Sequence, residues 1–143
     1  FNRLPEGLRQ DPELVIDYVQ RVRDERQVEG VLRDAIKHRW DDRLVIAYGQ
    51  GAKETLGKRI KTAEGWQKVH PDNSALQASL GQLYEANGEK DRARAAFQKS
   101  LQIQPSILAH ERLAKLLAFD GEYAKSSDHL RQALQITTTS TAR

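Results

Sequence analysis

The feature that most limits what this chain can fold into is an internal repeat. Leu80, Gly81, Tyr84, Gly88, Ala93, Phe97 and Leu101 recur 33 residues further on as Leu113, Ala114, Leu117, Gly121, Ser126, Leu130 and Leu134. In the first copy the apolar residues fall at helical intervals on either side of Asn87-Gly88, so each copy reads as two helices joined by a turn. Gly81 and Ala93 are small enough to let the two helices approach closely, Tyr84 and Phe97 fill the space between them, and Pro105 stops the second helix. Such a unit cannot bury its apolar face alone, so its copies must stack.

The series extends towards the N-terminus. Leu14-Val15-Ile16-Asp17-Tyr18 is nearly repeated as Leu44-Val45-Ile46-Ala47-Tyr48. Alignment on these residues gives Leu14, Leu44, Leu80 and Leu113, with Tyr18, Tyr48, Tyr84 and Leu117, at spacings of 30, 36 and 33. The set, at a period near 34, resembles the tetratricopeptide repeat. That resemblance implies an all-α chain: a right-handed helical-hairpin solenoid of about eight helices in four hairpins, over about 12–39, 42–69, 73–103 and 106–136. The four leucines are then expected to share one buried register, and the first helices to line a concave face.

Local signals place the boundaries. The stretch 1–10, with Leu4 and Leu8, reads as the end of an earlier helix that has lost its partner. Asp11-Pro12 is a cap followed by proline at the first helical position, and Asp24 to Arg26 is a charged turn before a helix that ends near Trp40. Asp41 and Asp42 cap the next helix. The extra residues of the second unit fall in a helix from about Ala52 to Val69, anchored by Trp66 and weakened by Gly57 and Gly65. His70-Pro71-Asp72 closes the second unit and caps the third, as Gln104-Pro105-Ser106 does for the fourth. Residues 137–143 are polar and β-branched without an apolar period, so a flexible tail is expected there.

Composition narrows the classes further. Hydrophobic residues make up 38% and charged residues 30% of 143, and the longest apolar runs fall far short of the roughly 20 residues that cross a bilayer. There is no cysteine for a disulfide or thiolate metal site. Methionine is also absent and the chain begins at Phe1, so we expect a piece of a longer protein, with any membrane anchor outside it. The net charge is +3, but basic and acidic residues are mixed along the chain, and no nucleic-acid partner is expected. Lys53, Lys58, Arg59, Lys61 and Lys68 form the most basic stretch, read as a solvated helix face that in a functional role would meet an acidic partner or an anionic membrane surface.

Catalytic patterns are missing. His38, His70, His110 and His129 form no His-Glu-x-x-His pair, and no Gly-x-Ser-x-Gly occurs. Gly51 to Arg59 fails as a phosphate loop: the glycines are one residue too far apart, and Arg59 stands where magnesium needs Ser or Thr. No catalytic residue, metal or cofactor is therefore expected, and the chain reads as a non-enzymatic interaction module.

In repeats of this kind the ligand lies against groove-facing residues of the first helices. Counted from the aligned leucines, these are Asp42, Arg43, Ile46 and Gln50, then Ser79, Gln82 and Glu85, then Glu111, Arg112 and Lys115. Some tetratricopeptide domains grip a terminal carboxylate with lysines, an arginine and asparagines there. Asp42 and Glu111 stand where that clamp wants lysine, and Ile46, Gln82 and Lys115 where it wants asparagine, which argues against the clamp.

A more particular combination is Trp40-Asp41-Asp42-x-Leu44-Val45-x-x-Tyr48-Gly49, then Ala63-Glu64-x-Trp66, His70-Pro71-Asp72 and Leu80-Gly81-x-Leu83. In this order the motifs resemble the C-terminal region of the bacterial HemY family. The resemblance implies a full-length inner-membrane protein whose repeat region is soluble, faces the cytoplasm and gathers partner proteins, among them haem-pathway enzymes. Two other functions remain open at this point: a haem or porphyrin carrier using His38, His110 or a tyrosine as axial ligand, and a generic peptide-binding or self-associating module.

Overall fold

The computed structural model describes residues 11–141. They fold into eight helices, with no strand among the described residues: α1 (Pro12–Arg21), α2 (Glu25–His38), α3 (Asp42–Tyr48), α4 (Leu56–Val69), α5 (Ser74–Ala86), α6 (Lys90–Ile103), α7 (Ile107–Phe119) and α8 (Tyr123–Thr141). Most starts are set by a side chain that accepts an otherwise unpaired N–H of the first turn. Asp11, Asp24, Asp41, Asn73 and Ser106 do this for α1, α2, α3, α5 and α7. The cap of α5 is thus Asn73, one residue beyond the His70-Pro71-Asp72 segment that the sequence pointed to. Gly88 and Gly121 turn the chain between α5 and α6 and between α7 and α8 at φ of 79° and 82°, a conformation that costs other residues a clash at Cβ.

One apolar core runs through the stack, from Val15 and Leu32 past Leu44, Val45, Tyr48 and Ala63 to Leu80, Phe97, Leu113 and Leu117. Helix α5 packs against α6 within its hairpin and against α3 and α4 of the preceding one; α6 continues to α7, and α7 to α8. Two glycines allow the closest approaches. A Cβ on Gly81 would lie 2.6 Å from the Phe97 ring, and one on Gly49 would lie 2.6 Å from Ser79 Oγ.

Several expectations are corrected. Leu44, Leu80 and Leu113 are buried, but Leu14 is 44% exposed, and its neighbour Val15 fills the core position. Among the described residues α1 rests chiefly on α2 and α3, so one face suffices there, whereas α3 lies between α1, α2 and α5 and buries both Leu44 and Val45. Helix α4 begins at Leu56 instead of Ala52. The Glu25 carboxylate accepts the N–H groups of Lys53 and Thr55, both at 2.7 Å, and holds that segment out of the helix. At the other end α8 continues to Thr141, through the first part of the supposed tail; Thr137 Oγ1 donates to the carbonyl of Ala133, one turn back. The expectation for Leu4 and Leu8 lies outside the described residues.

Candidate functional site

Three first helices, α3, α5 and α7, contribute to a groove that holds a cavity of about 280 Å³. Its wall consists of Asp42 and Ile46 from α3, Ala75 and Ala78 from α5, and Leu108 from α7, closed by Ser74, Ser100 and the Gln104-Pro105-Ser106 turn. The hydroxyls there serve the fold. Ser74 Oγ lies 3.0 Å from both the Ser100 carbonyl and Ser100 Oγ, and Ser106 Oγ accepts Ala109 N–H at 3.2 Å. With these hydroxyls engaged, the lining offers the apolar side chains of Ile46, Ala75, Ala78, Pro105 and Leu108, with Asp42 and Gln104 as its other polar side chains. Its volume lies below the range of roughly 300–1,000 Å³ typical of small-molecule and cofactor sites, a size for one or two side chains.

Asp42 is exposed but held in place. Its Oδ1 accepts from Trp40 Nε1 at 3.2 Å and from Asn73 Nδ2 at 3.0 Å, joining the N-terminal ends of α3 and α5. Arg43 turns away towards Asp41, at 3.1 Å, and Glu13 on α1, at 3.4 Å. Further along the groove Arg112 of α7 reaches back to α5, with its Nη2 3.4 Å from Gln82 Oε1 and its Nη1 4.0 Å from Glu85 Oε1. The structure thus brings together Asp42 with Ile46, and Gln82 with Glu85 and Arg112.

Other predicted positions do not line the cavity. Ser79 is fully buried where α5 meets Gly49, because α3 and α5 approach too closely to leave it open, and Gln82 is only 3% exposed, with Arg112 of α7 over its Oε1. Gln50 lies beyond the end of α3, and its carbonyl accepts from Arg59. Glu111 and Lys115 are exposed on α7. The cavity residue that sequence reasoning passed over on α5 is Ala78. Carrying Asp42 forward by the 36-residue offset, or Glu111 back by 33, lands on it.

The basic stretch also divides. Arg59 is 1% exposed. Its guanidinium donates to the Tyr48 carbonyl at 2.9 Å, the Gln50 carbonyl at 3.1 Å and Thr55 Oγ1 at 2.9 Å, so it ties the end of α3 to the start of α4. Nearby, buried Glu29 accepts from Tyr48 Oη at 2.7 Å and Arg33 Nε at 2.9 Å. Burial alone would raise its pKa, but Arg33, Tyr48 and Lys58 together hold the carboxyl below its usual value. Glu25, likewise pushed up by burial, is brought down from 4.5 to about 2 by the Thr55 and Lys53 N–H groups and the Thr55 hydroxyl. These groups fasten α2, α3 and α4 together and leave no donor aimed at a ligand.

His38 is exposed at the end of α2. His110, 4% exposed, faces His129 of α8 with the two Nδ1 atoms 2.9 Å apart. Neither lines the cavity. No group of three or more histidine or acidic side chains among the described residues converges as a metal site, and no helix among them is long and apolar enough to cross a membrane.

Comparison with known proteins agrees with the helical stack. Residues 75–107 match the tetratricopeptide repeat family model. No curated protein matches the sequence. Among solved structures, the crystal structure of MamA superposes with a TM-score of 0.65 at 15% identity, over 94% of this chain and 82% of that one. An ArsTM double mutant of MamA RS-1 gives 0.64 at 14% identity, over 94% and 79%. The chain therefore has the all-α fold of stacked tetratricopeptide-like helical hairpins, and its third hairpin carries the sequence signature of the repeat.

Proposed function

We propose that this chain is a non-catalytic docking scaffold whose first-helix groove receives an extended segment of a partner protein. The observation that carries this reading is the apolar cavity spanning α3, α5 and α7: three successive units contribute to it, and it is sized for side chains. Backbone-resolved NMR of the intact chain, titrated with a pooled library of short peptides, tests it. Shifts confined to Ile46, Ala75, Ala78 and Leu108 are expected, and shifts scattered over the surface would overturn it.

The finer assignment, to late haem synthesis at a bacterial inner membrane, rests on the motif order from Trp40 to Leu83 that resembles the HemY family. Crosslinking in native membranes is expected to capture terminal haem-pathway enzymes, and their consistent absence would remove that assignment. The carrier alternative places a porphyrin on His38, His110 or a tyrosine. The pairing of buried His110 with half-buried His129 argues against His110 as a ligand, and a Soret band unchanged on adding haem is the expected result. Self-association is favoured by Phe119 and Tyr123, exposed to 72% and 69% at the C-terminal end of the stack; molar mass measured across a concentration series decides it.

A further inference from the structure

We propose that the groove selects a segment in which an apolar side chain adjoins a lysine or arginine, the apolar group entering the cavity and the cation pairing with Asp42. The inference rests on the docking reading above and gives it a partner chemistry. The floor supplied by Ile46, Ala75, Ala78, Pro105 and Leu108 favours a hydrocarbon side chain. Asp42 is the one charged residue in that wall, and among the described residues no cation pairs with it.

Its orientation is already fixed. The two donors on Oδ1, from Trp40 and Asn73, are neutral, so they position the carboxylate without cancelling its charge. The neighbouring acids differ: Asp41 is engaged by Arg43 and Glu85 faces Arg112. A positively charged group is therefore what the rim of the cavity lacks.

An anionic ligand would be drawn to free N–H groups at the starts of α5 and α7. Each start is capped in part from within the chain, since Asn73 Oδ1 accepts Leu76 N–H and Ser106 Oγ accepts Ala109 N–H. Asp42 would repel an anion as well. Both effects point to a cationic segment and away from an acidic tail.

The test titrates the full chain with four capped tetrapeptides, Ala-Leu-Lys-Ala, Ala-Leu-Glu-Ala, Ala-Leu-Gln-Ala and Ala-Gly-Lys-Ala, followed by NMR shifts at Asp42, Ile46 and Leu108. The Leu-Lys peptide should bind best, about five-fold more tightly than the Leu-Gln peptide, the scale of one exposed ion pair. The Gly-Lys peptide should lose most of the binding. Asp42→Asn keeps the oxygen that Trp40 and Asn73 use, so the fold is retained while the preference for Lys over Gln disappears. Raising salt towards about 1 M should erase that preference for the same reason. Equal binding of the Lys, Gln and Glu peptides, or an unchanged preference in Asp42→Asn, overturns this proposal and leaves the groove as a docking site. If no peptide of any charge shifts these residues, the docking reading fails and this one with it.

Discussion

In the third hairpin α5 and α6 meet through a small residue and a ring: Gly81 lies under Phe97, and Gly88 turns the chain between them. The second hairpin is built differently. Helices α3 and α4 each pack closely on α5 but make no comparable backbone approach to one another. The space between them is occupied by large side chains. Trp66 packs on Tyr48 at 4.8 Å and edge-on to Trp40 at 5.8 Å, and the Arg59 guanidinium takes the carbonyls at the end of α3. One hairpin is held by close apolar fit and the other by hydrogen bonds to a buried charge. Stacking units of one outline leaves the interior chemistry of each unit free to differ, as long as the face offered to the next unit is apolar.

The strongest way to break that contrast is Arg59→Met. Methionine has a similar reach but no donors, so the buried Tyr48 carbonyl and the half-buried Gln50 carbonyl lose their partner, at about 1–3 kcal/mol for a buried group left unsatisfied. Denaturant unfolding should show a loss of about 3 kcal/mol, and Arg59→Lys should recover little, because an ammonium cannot span the fork of acceptors. A loss below about 1 kcal/mol would mean that the guanidinium merely fills space and the two hairpins are held alike.

The converse change is Gly81→Ala. The added methyl lies 2.6 Å from a fully buried ring, and overpacking of this kind costs about 1–3 kcal/mol, more than the helix propensity gained. Shortening the opposing side chain in the double variant Gly81→Ala/Phe97→Leu should return part of the loss. Gly65→Ala in α4 is the matched control: nothing lies within 4 Å of that Cβ, so stability should rise by up to about 1 kcal/mol. If both glycine variants moved stability the same way, close fit would not distinguish α5 from α4.

These differences also mark what the sequence could disclose. Gly81, Phe97 and Gly88 recur as types at fixed spacing, so their hairpin and the all-α stack are legible in the sequence. Arg59 was not, since it sits in a basic run beside Lys58, and the groups that bury it belong to Tyr48, Gln50 and Thr55 in a turn of unknown shape. Leu14 carries the motif of Leu44 yet stays half in solvent, because burial depends on the neighbours of a helix as well as its own pattern. At the groove, an error of one position rotates a residue by about 100° around a helix. That is the difference between Ala78, which lines the cavity, and Ser79, which is sealed against Gly49.

Acid separates the two ends of the stack by the polar contact each contains. In the last hairpin the Nδ1–Nδ1 contact of His110 and His129 needs one ring as donor and the other as acceptor, so the rings cannot both be cationic there. Burial lowers both pKa values from the ordinary 6.5, His129 lowers that of His110 further, and Asp128, itself paired with Arg131, opposes the shift at His129. The unfolded chain then binds these protons more readily than the folded one. The stability they contribute is complete above the ordinary histidine value and falls as pH drops below it. Around α2 to α4 the shifted carboxylates are Glu25 and Glu29, both held below their usual 4.5, Glu25 at about 2, and Asp41, held below its usual 3.8 by Arg43. Their contribution is complete above those usual values and is lost only as pH falls further. Hydrogen-exchange protection should therefore weaken across α7 and α8 between about pH 7 and 5, and across α2 to α4 only below about pH 4.5. His129→Gln should remove the first step and leave the second. If protection at the two ends fell together, or if His129→Gln left the upper step in place, the histidine contact would not govern the response of the last hairpin.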